Sequence, residues 1–223
     1  MGACRRSWRL REVNWLKWFS RLFAACPAGP AATSPNCSLP SKTSSTPAPS
    51  ITPKSPQEKL IEIAGREVGK KETAGSNCGP DVRKYQAATN LEPGAWPWCA
   101  AFVCWCIQQW LADPEVKAWL NLKTTTTANW RPKTALAFGL MKWAQARPAT
   151  VTVLPDTAEP QAGDIVVFDF SHCGIVKGLA GGTMLTIEGN TNGAGSREGD
   201  GVYVKTRIRN LARAFIRIRP SGS

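Results

Sequence analysis

Gly94-Ala-Trp-Pro-Trp-Cys-Ala-Ala-Phe-Val-Cys-Trp-Cys-Ile-Gln-Gln-Trp110 is the stretch around which this chain is organised. Pro97 stands just before an apolar run, which is how many helices begin. Cys99 then falls in the first turn. Backbone N–H groups there lack intrahelical partners, and the helix dipole adds partial positive charge. Both effects favour a thiolate. From Ala100 to Trp110 the run is apolar on nearly every face, so the helix is expected to be buried. A thiol at the open end of a rigid, buried helix suits a nucleophile. The competing reading is that Cys99 is a small core residue, since free cysteine is commonly buried.

A nucleophilic cysteine needs a base, and the base needs a group that orients it. The chain has one histidine, His172, in Asp169-Phe-Ser-His-Cys-Gly-Ile-Val176. It lies between two strand-like runs, Asp164–Phe170 and Gly174–Lys177. Downstream, Thr186-Ile-Glu-Gly-Asn-Thr-Asn192 carries Glu188 and Asn190 directly after another apolar run. A strand paired beside the histidine strand would bring one of these two to the imidazole, and the sequence does not choose between them. The order Cys, His, then Glu or Asn is that of papain-like enzymes.

Three blocks together, Trp96-Pro-Trp-Cys-Ala-Ala-Phe-Val103, Gly163-Asp-Ile-Val166 with Ser171-His-Cys-Gly-Ile-Val176, and Glu188-Gly-Asn190, resemble the CHAP family of cysteine- and histidine-dependent amidohydrolases and peptidases. Upstream, Gly65-Arg-Glu-Val-Gly-Lys-Lys-Glu72, Asn77-Cys-Gly-Pro-Asp-Val82 and Tyr85 resemble the lead-in helices of one branch of that family. The likeness spans roughly residues 57 to 219. It implies an α+β, papain-like fold, with N-terminal helices and the cysteine helix packed on an antiparallel sheet. It also implies peptidoglycan as substrate and a phage or prophage lysin type of role. Cys99 would be the nucleophile, His172 the base, and Glu188 or Asn190 the orienting group. Trp96 and Trp98 are expected to line the cleft. Some members bind calcium through aspartates before the cysteine. Here residues 77 to 98 hold only Asp81 and Glu92, so no metal or other cofactor is expected.

The chain has 223 residues, with 28 basic and 16 acidic residues and a net charge of +12. Up to Ser55 there are eight basic residues and one acid, Glu12. A basic excess favours polyanions such as nucleic acid, anionic lipid or cell wall. No helix-turn-helix, zinc-finger or RNA-recognition pattern accompanies it, which argues against nucleic acid. The eight cysteines do not form the framework of a small disulfide-rich domain, because four lie in or beside the expected core. Cys104-Trp-Cys106 lacks the spacing of a zinc knuckle or a redox pair, and its two thiols point to different helix faces.

Residues 1–26 form a basic, aromatic segment. On a helix Trp8, Trp15, Phe19, Leu22 and Phe23 share one broad face, as in helices that lie in a membrane interface. The alternatives are an atypical signal or lipid anchor ending near Cys26, or a functionless extension. Charges recur too often for a spanning helix. Residues 27–54, rich in Pro, Ser, Thr and Ala, read as a linker. Ser55-Pro-Gln-Glu58 is a capping box that opens a domain over 55–223. Its first helix carries the stripe Leu60, Ile61, Ala64 and Val68, closed by Gly69. Further helices are expected over 80–89 and 133–146. Strands are expected over 150–154, 164–170, 173–178, 183–188, 201–208 and 214–219. Residues 113–162 form either a wall of the substrate groove or filler on the far side. The expected protein is a monomer, made in a bacterial cytoplasm and acting on the wall or in the periplasm. Two rivals stand beside the hydrolase. One is an idle cationic module that binds wall or membrane; the presence of both Cys99 and His172 argues against it. The other is an interbacterial toxin with the same chemistry.

Overall fold

A computed structural model describes residues 53–122 and 127–221. The expected basic segment at residues 5–25 and the linker up to residue 52 lie outside the described residues. At Ser55 the capping box forms as expected. The Ser55 hydroxyl accepts from the Glu58 N–H at 3.2 Å, and the Glu58 carboxylate accepts from the Ser55 N–H at 2.7 Å. Helix α1 then runs Pro56–Gly65. It ends one turn earlier than its apolar stripe predicts, and Val68 is exposed rather than buried. The reason is tertiary. Residues 69–71 leave the helix to pair with the edge of the sheet. Gly69 N–H donates to Val202 O, Val202 N–H donates to Lys70 O, and Lys71 bridges to Gly201. Gly69 makes that exit at φ +91°, where a side chain would be strained.

Helices α2 (Pro80–Gln86), α3 (Cys99–Trp110), α4 (Pro114–Trp119), α5 (Thr127–Trp130) and α6 (Ala137–Gln145) follow. The helix expected from Lys133 begins only at Ala137. Residues 133–136 make bonds that a helix would forbid: Lys133 O accepts from Asn90, Thr134 O accepts from the Cys104 thiol, and the Thr134 hydroxyl accepts from the Leu136 N–H. Strands β1 (Val151–Pro155), β2 (Ile165–Phe168), β3 (His172–Ala180), β4 (Thr183–Thr191), β5 (Gly201–Ile208) and β6 (Ala212–Ile218) match the expected runs closely. All neighbours in the sheet are antiparallel, in the order β1-β6-β2-β3-β4-β5. The architecture is therefore α+β.

The sheet has two unlike faces. Ile165, Val167, Cys173, Ile175, Ile187, Val202 and Ile216 join the main core with α1, α3 and α6. Val166, Phe168, Val176, Met184, Ala212 and Phe215 form a smaller core on the other side. Period-2 alternation on the paired strands sorts these residues. The cysteine helix is the centre of the larger core. Nine of its twelve residues are buried, as the absence of a polar face requires. Among the described residues no helix is long and apolar enough to cross a membrane.

Candidate active site

The loop into α3 is clamped before the helix begins. Gln86 is fully buried and spends its amide on the loop backbone, donating to Gly94 O and Trp96 O and accepting from Gly94 N–H. Tyr85 stacks on Trp98 at 5.3 Å and meets Phe102 edge-on at 5.3 Å. Its hydroxyl donates to Glu67 at 2.6 Å. Trp98 caps the helix through backbone only: Phe102 N–H donates to Trp98 O, and no side chain caps the start. The N–H groups of Cys99 and Ala101 thus keep the free donor capacity of a helix start, and that of Ala100 faces the Cys99 thiol.

This packing corrects one expectation. Trp98 is 1% exposed and is a core residue, not a cleft wall. Its indole N–H donates to Glu72 at 2.9 Å, so the ring holds the start of the helix in place. Trp96 is half-buried, and its indole N–H donates to Glu92 O within its own loop.

His172 opens β3 at the end of the sheet beside the start of α3. Its ring lies nearly parallel to Phe168 and Phe170, with centroids 6.1 and 5.9 Å away. Nε2 lies 3.0 Å from Glu188 Oε2. The carboxylate of Glu188, not the amide of Asn190, therefore holds the imidazole. Nδ1 has no hydrogen-bond partner among the described residues and is the nitrogen left for the thiol of Cys99, whose charge favours the protonated ring. Gly174 makes room for this contact. A Cβ on it would stand 2.6 Å from Glu188 Cγ.

Glu188 is fully buried and fully bonded. The Thr186 hydroxyl donates to Oε1 at 2.5 Å. Arg207 donates Nε to Oε1 at 2.9 Å and Nη2 to Oε2 at 2.6 Å. Its guanidinium lies 5.4 Å above Phe168 and 5.6 Å above Phe170, on the same stack as the imidazole. Burial alone would raise the Glu188 carboxyl. The bonds from Arg207 and His172 outweigh it and hold the group at about 2. Burial alone would likewise make His172 less basic, but the bonds to Cys99 and Glu188 raise it to about 9.

The thiols divide cleanly. Cys99 lies well below the ordinary cysteine value. The largest cause is a hydrogen bond from the Cys173 thiol, followed, against the opposing effect of burial, by His172 and the Ala100 N–H. Burial pushes Cys104 up to about 12, and pushes Cys106 and Cys173 well above the ordinary value. Cys99 and His172 thus stand together over a buried carboxylate and a buried guanidinium, and the shifts of both favour the charged form of each. Among the described residues no three His, Cys, Asp or Glu side chains gather closely enough to hold a metal ion.

Arg207, Thr186 and Cys173 escaped the sequence reading. Thr186 precedes Glu188 by two residues, so strand alternation puts it on the same face. Cys173 follows His172 and turns to the helix side. Arg207 reads in sequence as one of several C-terminal basic residues, and only the pairing of β4 with β5 brings it to Glu188. The first turn of α6 comes near the same end of the sheet. Phe138 lies under Arg213, which pairs with Asp169 in the turn before His172.

Residues 91–190 match the family model described as the CHAP domain. The match begins at the loop into α3 and takes in Cys99, His172 and Glu188. Arg207 lies beyond it. Among curated proteins none matches the chain. With the helix-on-antiparallel-sheet architecture and a cysteine and a histidine inside the matched span, residues 91–190 are similar to the CHAP domain, a module of cysteine- and histidine-dependent hydrolases of the peptidoglycan amidase or peptidase type.

Proposed function

We propose that Cys99 is the nucleophile of this hydrolase, His172 its base and acid, and Glu188 the orienting group, and that the reaction cuts an amide bond of the bacterial wall. The observation that carries the reading is the buried chain His172–Glu188–Arg207, set beside the buried Cys99 at the open end of α3. The Cys99 thiolate attacks the carbonyl carbon, and the carbonyl π pair moves onto oxygen. Backbone N–H groups at the helix start, that of Cys99 among them, stabilise this oxyanion. The C–N bond then breaks as the imidazolium gives its proton to the leaving amine. A thioester remains. His172 next removes a proton from water as the water attacks the thioester carbon. Expulsion of the thiolate releases the carboxylic acid and restores the starting pair. Glu188 keeps the ring oriented and its charge favours the imidazolium throughout. Asn190 sits two residues beyond Glu188 and makes no hydrogen bond to the ring. The chain acts at the wall as a monomer, with the basic residues 5–25 as its contact with an anionic surface.

The test is hydrolysis of purified sacculi, read by zymography and by mass spectrometry of the released fragments. The fragment ends distinguish cleavage at the muramoyl–L-alanine amide from cleavage within the stem peptide. Cys99→Ala is expected to abolish hydrolysis while remaining folded by circular dichroism. Cys104→Ala and Cys106→Ala retain it wherever they remain folded. Full activity in folded Cys99→Ala refutes the assignment.

A further inference from the structure

Beside the catalytic chain lies a pocket of about 470 Å³ that the proposed mechanism does not use. Its walls carry the carboxylates of Glu72, Glu198 and Asp200 and the side chains of Asn77 and Asn192, and its floor is Asn190, the one fully buried residue among those lining it. In a chain of net charge +12 no lysine or arginine lines this pocket. Asp200 pairs with Lys71, and Glu198 with Arg197, both through exposed side chains. Glu72 has only neutral donors, the Trp98 indole N–H and the Asn77 backbone N–H. Its negative charge is uncompensated among the described residues.

Asn190 points to a ligand independently of the acidic charge. It is 0% exposed, and both its Nδ2 and its Oδ1 lack a hydrogen-bond partner among the described residues. Buried polar atoms almost always find partners, and an amide with both ends open matches the donor and acceptor of a peptide group. The backbone is shaped to hold it there. Asn190 sits at φ +57°, in the left-handed region that asparagine tolerates better than most residues, and the β4–β5 register slips between Glu188 and Thr191. Gly189 lets this bulge press against the start of α3. A Cβ there would stand 2.7 Å from Phe102 and 2.8 Å from Trp98. The pocket thus adjoins the active site on two sides, through Trp98 next to Cys99 and through Glu188 next to Gly189.

We infer that this pocket is a substrate subsite that binds a peptide residue bearing a free ammonium group, with Asn190 pairing to the peptide backbone and the carboxylates receiving the ammonium. The inference deepens the hydrolase reading and rests on it for the identity of the peptide. A primary ammonium fits better than a divalent metal, because the carboxylates are not gathered at ligating distance. It also explains why an acidic pocket stands in a basic protein: a cationic ligand would be repelled elsewhere on the surface.

The test is titration of the folded full-length Cys99→Ala protein by calorimetry, at low salt. The probes are N-acetyl-L-alanyl-γ-D-glutamyl-L-lysyl-D-alanine, whose one ammonium is on the lysine side chain, and the same peptide acetylated there as well. The free-ammonium peptide is expected to bind about tenfold more tightly, the size of one charge-assisted hydrogen bond. Glu198→Gln with Asp200→Asn, added to Cys99→Ala, is expected to reduce that preference to about twofold or less. Because Asp200 also accepts from Tyr203, exposed Glu198→Gln alone serves as a second variant and is expected to reduce the preference part of the way. Equal affinity for the two peptides, no binding of either, or a preference untouched by both variants overturns the subsite. So does competitive binding of calcium at micromolar concentration, which would make the pocket a metal site. Sacculus hydrolysis by the wild-type protein separates the two readings. Hydrolysis without ammonium preference removes the subsite alone. Ammonium preference that depends on Glu198 and Asp200, with no hydrolysis, keeps the subsite and removes the enzyme.

Discussion

Replacing Arg207 by methionine tests the buried charge chain most directly. The substitution keeps an aliphatic stem against Phe168 and Phe170 and removes the guanidinium. Glu188 then loses its donors to both oxygens, at 2.9 and 2.6 Å, and keeps only the Thr186 hydroxyl and His172. The magnitude follows from the site. Glu188 is held at about 2 against an ordinary 4.5, a difference worth about 3–4 kcal/mol in total at about 1.4 kcal/mol per unit, which Arg207 shares with His172 and which burial opposes. An independent route agrees, since removing one partner of a buried ion pair costs about 3–5 kcal/mol. The sign is set by the depressed value. Glu188 contributes stability above pH 4.5 and loses it as pH falls through about 2. The difference between wild type and Arg207→Met is therefore largest near neutral pH and shrinks from about pH 4.5 downward. Urea denaturation at pH 7 and pH 3 measures it, with about 3 kcal/mol expected at pH 7. Arg207→Lys keeps charge without the two-pronged geometry and falls between the two. Equal stability of wild type and Arg207→Met at pH 7, with superimposable pH–rate profiles, would refute the reasoning.

Three further outcomes follow from the same site. The rate of wall hydrolysis should fall as pH rises through about 9, because His172 then lacks the proton it passes to the leaving amine; a rate still rising above pH 10 would contradict this. Cys173→Ala removes the donor that most lowers Cys99, so the midpoint of Cys99 alkylation by iodoacetamide should move to higher pH, and less so in Cys173→Ser, which keeps a donor. Removal of residues 1–54 spares the cap at Ser55 and every group of the site. It should leave hydrolysis of purified sacculi near normal and weaken action on whole cells at low salt, at about 1 kcal/mol for each basic residue near an anionic surface; equal action on whole cells at all salt concentrations would reassign that segment.

Much of the fold was legible because its signals are local. Ser55 to Glu58 can be read as a cap from four residues, since a capping box closes within one turn. The strands could be read because alternation and apolar runs need no partner to be seen. Cys99 could be picked out from seven other cysteines because proline and an apolar run mark where a helix begins, and the electrostatics of a helix start belong to the backbone. His172 needed no search, being the single imidazole.

What the sequence left open was decided by pairing across long distances. Glu188 and Asn190 differ by one strand period and look interchangeable in the chain. The slip in register after Glu188 and the left-handed turn at Asn190 send one to the imidazole and the other to the acidic pocket. Arg207 joins Glu188 only because β5 lies beside β4, nineteen residues on. Trp98 looked like a cleft residue from its place before Cys99, but packing on Tyr85 and a bond to Glu72 turn it into the core. Val68 and residues 133–136 kept helical patterns, yet the backbone directly after Val68 goes to the sheet edge and that of residues 133–136 to Asn90 and Cys104. In each case a local preference worth less than about 1 kcal/mol per residue yielded to hydrogen bonds and burial that exist only once distant segments meet.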